Sequence, residues 1–115
     1  MQTVVLVGAS GSGKSRFWHQ FTGGYYTYPT MQAKTSITNH GFLLVDTPGR
    51  KEFRQEYAWD KLFADATCIV IFDGHWCLDE IEGSRPADVL DKILTWSGDN
   101  EETMCRILEF LDKKK

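Results

Sequence analysis

No stretch of this chain approaches the roughly 20 consecutive apolar residues that a membrane span requires. Its apolar runs, at residues 4–7, 42–45 and 68–72, are short, and the first is interrupted by Gly8, so it does not read as a secretory leader. Surplus positive charge is also missing. With 13 Lys and Arg against 16 Asp and Glu, the formal net charge is −3, which argues against a nucleic-acid binder held by a broad basic face. The one basic run, Lys113-Lys114-Lys115, reads as a solvated tail that complements the end of a helix dipole. Cysteine is scarce: Cys68, Cys77 and Cys105 have neither disulfide-framework nor metal spacing. That pattern points to a reducing compartment, and so to the cytoplasm. Cys68 and Cys105 read as packing residues. His19, His40 and His75 have no metal spacing either, and each reads as solvated or packed. Internal repeats and low-complexity segments are absent.

What remains is ordinary globular material. The 115 residues are 42 % hydrophobic and 25 % charged, enough for one domain over residues 1–115 with one real core. The three apolar runs do not alternate with polar residues. Continuous apolar strands are buried on both faces, as in a parallel sheet covered by helices, and the rhythm of strand, turn and helix is α/β. The first helix is expected from near Gly13 to before Gly23-Gly24, with Phe17, Trp18 and Phe21 inward. Residues 23–34 read as a mobile loop. Residues 35–38 read as a short strand, and Asn39-His40-Gly41 turns it into the next strand as a hairpin. Residues 50–65 read as helical and 74–84 as irregular. Two helices are expected to close the chain. The first has Pro86 in its opening turn and Val89, Leu90, Ile93 and Trp96 inward. The second starts at Asp99 with Glu102 as a capping box, and presents Met104, Ile107, Leu108 and Leu111.

Gly8-Ala9-Ser10-Gly11-Ser12-Gly13-Lys14-Ser15 completes the G-x-x-x-x-G-K-[ST] pattern of a Walker A phosphate loop. An apolar strand precedes it and an amphipathic helix follows. Its glycines let backbone N–H groups turn inward around phosphate oxygens, so Gly8, Ser10, Gly11, Ser12, Gly13 and the adjoining Arg16 are candidate phosphate contacts. Lys14 supplies a mobile charge to the β and γ phosphates, and Ser15 offers its hydroxyl to Mg²⁺. The helix dipole is aimed at the same anion. A second signal, Asp46-Thr47-Pro48-Gly49, lies 31 residues after Ser15 at the end of an apolar run. An acidic residue at a strand end beside the phosphate loop holds Mg²⁺, usually through water. Gly49 would let an N–H approach the γ-phosphate.

With these motifs the chain resembles the Ras-like GTPase superfamily, whose D-x-x-G element reads as Asp46-Thr47-Pro48-Gly49. Within it, the chain is similar to the ethanolamine-utilisation EutP and propanediol-utilisation PduV family. The likeness spans about residues 3–73. It rests on the phosphate loop, on Lys34-Thr35 eleven residues before Asp46, and on the short hairpin between them. The resemblance implies that Thr35 ligates Mg²⁺ and meets the γ-phosphate; Thr30 is a rival for that role, and a strand-favouring surface threonine is the bland reading of either. It also implies a P-loop three-layer α/β sandwich. Two departures stand out. Arg50 occupies the position of the water-orienting glutamine, and the guanine-reading [NT]-K-x-D motif is absent. The expectation is a shortened G domain of sheet order 2-3-1-4, with one antiparallel edge strand and no fifth strand after Phe72.

The combined reading is a protein that binds GTP or ATP with Mg²⁺ and hydrolyses it slowly, with Lys14, Thr35 and Arg50 as catalytic candidates. Ser15, Asp46 and Thr35 are the metal candidates. Residues 23–35 are the candidate surface for a protein partner, and the 68–72 strand, from Cys68 on, is the candidate edge for an oligomer unless the closing helices cover it. Two other readings stay open. One is a small-molecule kinase, although Arg50, Arg54 and Arg85 are too scattered to mark a lid. The other is a non-catalytic module whose shape is set by nucleotide.

Overall fold

The computed structural model describes residues 1–8, 12–22, 34–47, 64–72 and 90–114. Its centre is a five-stranded sheet. Strand β1 (Thr3–Val7) lies between β3 (Leu43–Asp46) and β4 (Cys68–Ile71), parallel to both. β2 (Lys34–Ile37) pairs antiparallel with β3, and β5 (Ile93–Thr95) pairs parallel with β4. The order is β2-β3-β1-β4-β5. Val4, Val5, Leu6 and Val7 are all fully buried, which explains why the run does not alternate: both faces of β1 are removed from water.

One core face gathers Val4 and Leu6 of β1, Leu44 of β3, and Cys68 and Val70 of β4. Two helices close over it. From α1 (Lys14–Thr22) come Phe17, Trp18 and Phe21, and from α2 (Asn100–Lys113) come Met104, Ile107 and Leu111, with Leu108 half-buried beside them. Rings knit the layers together. Phe17 meets Phe21 at 4.8 Å and Phe72 edge-on at 5.4 Å, and Phe72 stacks on Trp96 at 5.2 Å. The β2–β3 hairpin forms as expected, with β2 one residue earlier and β3 one residue later than the sequence pattern suggests. Gly41, at φ +89°, closes its turn with an N–H to the Thr38 carbonyl at 3.1 Å.

The C-terminal third departs from expectation. In place of a helix containing Leu90, Ile93 and Trp96, there is one 3₁₀ turn (Leu90–Lys92) and then β5. The expected order 2-3-1-4 is therefore extended by a fifth strand. β4 would otherwise present unpaired N–H and C=O groups, and the β-branched Ile93 and Thr95 suit a pleated edge. Pairing Ile69 with Ile93 and Ile71 with Thr95 satisfies that edge, and the Trp96 N–H continues the ladder to the Ile71 carbonyl at 2.9 Å. Neither helix cover nor a second copy is needed there, so the 68–72 edge is not an open oligomer surface. The capping box is half formed. Asp99 Oδ1 accepts from the Glu102 N–H at 3.0 Å, but the Glu102 carboxylate turns to Arg106 at 2.9 Å. Cys68 is buried as expected, whereas Cys105 is exposed on α2. Among the described residues, no helix is long and apolar enough to cross a membrane. The expectations for 23–33, for 48–63, for 73–89 (with His75 and Cys77) and for Lys115 lie outside the described residues.

Candidate functional site

β1 and β3 run parallel with Leu6 opposite Asp46, so both strands finish on the same side of the sheet. In open α/β sheets ligands bind beyond those carboxyl ends. Gly8, buried, follows β1 there. Ser12 and Gly13 lead into α1, which begins at Lys14 with its N-terminus at the same end. Gly13 has φ +99°, a backbone state that side chains rarely adopt, and its Cα lies under the Trp96 ring: an added Cβ would stand 3.5 Å from Cη2.

Lys14 is the centre of the site. Its Nζ donates to Asp46 Oδ1 at 2.9 Å and to the Thr47 carbonyl at 2.6 Å. Lys14 is 4 % exposed and Asp46 is fully buried, so this ion pair is formed away from water. Charged groups so placed are tolerated only when paired and hydrogen-bonded. Thr47 is itself anchored. Its Oγ1 donates to the Leu6 carbonyl at 2.6 Å, and its N–H points at the same oxygen at 3.3 Å. The side chain of Thr47 thus ties the end of β3 to β1, and its carbonyl is held toward Lys14.

Three observations bear on whether a polyphosphate and Mg²⁺ fit here. The Ser12 hydroxyl is buried with no hydrogen-bond partner, a state that costs about 1–3 kcal/mol and that a phosphate oxygen would relieve. The ammonium of Lys14 and the N-terminus of α1 face one end of the sheet. Asp46 supplies one buried carboxylate, and among the described residues no cluster of three or more His, Cys, Asp or Glu forms a cage. A single carboxylate with a hydroxyl, waters and phosphates is the donor set Mg²⁺ takes in phosphate sites. The residues therefore fit the pair.

Of the residues singled out in the sequence, the structure brings together Gly8, Ser12, Gly13, Lys14 and Asp46, with Ser15 in the first turn of α1. Arg16, in the same turn, is exposed. Thr35 is not brought to them. It lies exposed in β2, opposite Val45, with β3 between it and β1. Thr30, Ser10, Gly11, Gly49 and Arg50 lie outside the described residues. Two contributors escape sequence reading. Thr47 was visible only as part of the D-x-x-G tetrapeptide, and Trp96 as an inward residue of a helix that does not form. Trp96 Nε1 donates to Asn100 Oδ1 at 2.9 Å, and Asn100 donates to Gln20 Oε1 of α1 at 2.9 Å, so the ring over Gly13 is tied to both helices.

No protein-family model matches the chain, and no curated protein is similar to it. Solved structures are. S. thermophilus NFeoB bound to GDP·AlF4⁻ has a TM-score of 0.54 at 21 % identity, covering 64 % of this chain and 34 % of its own. S. thermophilus NFeoB bound to GMPPNP has a TM-score of 0.52 at 20 % identity, covering 63 % and 33 %. The mammalian SRP receptor has a TM-score of 0.51 at 27 % identity, covering 61 % and 41 %. The chain thus spans between a third and two fifths of these neighbours' length. Together with the sheet order, the likeness defines the fold class: a P-loop GTPase fold, in the form of a shortened, partial G domain.

Proposed function

We propose that this protein binds a nucleoside triphosphate with Mg²⁺ and hydrolyses it slowly. The observation that carries the reading is the meeting of Lys14 and Asp46, 32 positions apart, in one buried contact at the carboxyl ends of β1 and β3. Lys14 would turn from Asp46 toward the β and γ phosphates, while the N–H groups around Gly13 and the dipole of α1 receive their oxygens. Asp46, through water, and Ser15 would hold Mg²⁺, which supplies charge neutralisation between the phosphates. Two of the NFeoB neighbours carry GDP·AlF4⁻ or GMPPNP, which favours a guanine nucleotide here. The link to the EutP and PduV family, and with it a role in ethanolamine or propanediol utilisation, is proposed on the motifs and the short hairpin alone. Arg50 is proposed as a positive charge supplied in cis to the γ-phosphate, and residues 23–35 as the segment through which a protein partner would read the bound state.

The reading is tested by thermal stabilisation. At GTP·Mg²⁺ or ATP·Mg²⁺ about 100-fold above its dissociation constant, the wild-type protein should gain about 2.7 kcal/mol. Lys14→Ala should lose most of that gain, since charge-assisted hydrogen bonds are worth about 1.5–3 kcal/mol each. An equal shift in both proteins overturns the assignment.

A further inference from the structure

We propose that Trp96 is a base-stacking residue: the nucleobase lies on its indole ring and is held by its flat face, not by hydrogen bonds that read its edge. The inference rests on the nucleotide reading above and adds how the base is held, in a chain without the [NT]-K-x-D motif.

The two ends of the ligand fall on opposite sides of β1. Lys14 reaches the end of β3, so in the nucleotide reading the terminal phosphate and its metal belong on that side. β4 and β5 lie on the other side of β1. A phosphate chain that starts beside β3 and follows the backbone of Gly13 delivers its nucleoside toward β4 and β5. Trp96 stands there. Its N–H donates to the Ile71 carbonyl just beyond β5, at the carboxyl end of the sheet. Its ring reaches back to Gly13, where an added Cβ would stand 3.5, 3.8 and 4.0 Å from three atoms of the six-membered ring.

The ring is fixed as a platform has to be. One face stacks on Phe72 at 5.2 Å, and Phe72 is wedged against Phe17 of the core. Nε1 donates to Asn100 Oδ1 at 2.9 Å, and Asn100 donates onward to Gln20 of α1. Among the described residues no second ring stacks on the other face, and Trp96 is only half-buried, whereas Phe17, Phe21 and Phe72 are buried. The polar side chains that follow are engaged within the protein: Ser97 Oγ meets Thr103 Oγ1 at 3.2 Å, and Asp99 Oδ1 accepts from the Glu102 N–H. Every base has a π face, so a stacking platform holds guanine and adenine alike.

The test is calorimetric titration in Mg²⁺ with GTP, ATP and inorganic tripolyphosphate, which carries the phosphates without base or ribose. The wild type should bind both nucleotides at least about thirtyfold more tightly than tripolyphosphate, or roughly 2 kcal/mol. Trp96→Leu should bring both nucleotides to within about threefold of tripolyphosphate and leave tripolyphosphate itself within about threefold of the wild type. Trp96→Phe, which keeps a stacking face, should retain most of the preference. If Trp96→Leu weakens tripolyphosphate by the same factor as the nucleotides, the ring only supports the phosphate loop and the proposal is overturned; a leucine variant that keeps the preference overturns it too. A second readout needs no variant. In the wild-type complex the base protons of GTP should shift upfield and show nuclear Overhauser contacts to the Trp96 ring, and their absence refutes stacking. A wild type that binds nucleotides no more tightly than tripolyphosphate removes the base platform and leaves the phosphate reading standing. A wild type that binds none of the three removes both.

Discussion

Cys68 sits in the centre of the core face with no exposed surface, and burial raises its thiol from an ordinary 9.0 to about 12. Between those values the unfolded chain gives up a proton that the folded chain keeps, so stability is full below pH 9 and falls as pH rises toward 12. Three units correspond to about 4 kcal/mol. Cys68→Ala should therefore lose less stability than the wild type between pH 8 and pH 11, as read by urea midpoints; parallel pH curves would show that the thiol is ionised in the fold. At neutral pH, iodoacetamide should label Cys105, which is exposed, and spare Cys68. Lys14 and Asp46, which the structure brings into contact, were legible in the sequence because each lies in a short recognisable motif. Thr47 and Trp96 were not. The first acts through the Leu6 carbonyl, 41 positions away, and the second through Gly13, and neither contact has a local signature.

Among the elements, α2 follows from the sequence pattern and β5 does not, and the reasons are physical. α2 carries its own instructions: a capping residue, then Met104, Ile107 and Leu111 at helical spacing on one buried stripe. Asp99 contributes to that helix directly, through the bond from the Glu102 N–H. Asp99→Ala should cost about 1 kcal/mol, a melting-point drop of about 4 °C for a domain of this size. Asp99→Asn should be nearly neutral, since asparagine caps equally well; an equal drop in both variants would mean that the carboxylate has another duty. β5 is only three residues long, and its Ile93 and the later Trp96 also satisfy a helical pattern. Short apolar segments are ambiguous in this way, and the waiting edge of β4 decides the outcome.

For the molecule as a whole, the fifth strand bears on the choice of base in the proposed nucleotide. It is followed by Trp96-Ser97-Gly98-Asp99, which ends in an acidic residue but does not spell [NT]-K-x-D, and Asp99 Oδ1 is engaged in capping α2. Discrimination between GTP and ATP should accordingly be weak, within about tenfold or roughly 1.4 kcal/mol. Competition titration measures it, and a thousandfold preference for GTP would show that another segment reads the base. Turnover should be slow, on the order of 10⁻³ s⁻¹ or less, because Arg50 cannot act as a base in place of the missing glutamine. If Arg50 supplies charge instead, Arg50→Ala should lower single-turnover hydrolysis at least about tenfold with nucleotide affinity within a few-fold; an unchanged rate would retire that role.

Local chain chemistry was enough for the apolar strand runs, the hairpin and the last helix, since each depends on residues close together in the chain. Contact between distant positions was needed for the rest. The closure of β4 by β5, the ring of Trp96 over Gly13, and the sequestering of Lys14 by Asp46 and the Thr47 carbonyl all arise from hydrogen-bonding groups and charges that must find partners once the sheet is assembled. A linear pattern does not record which partner is nearest.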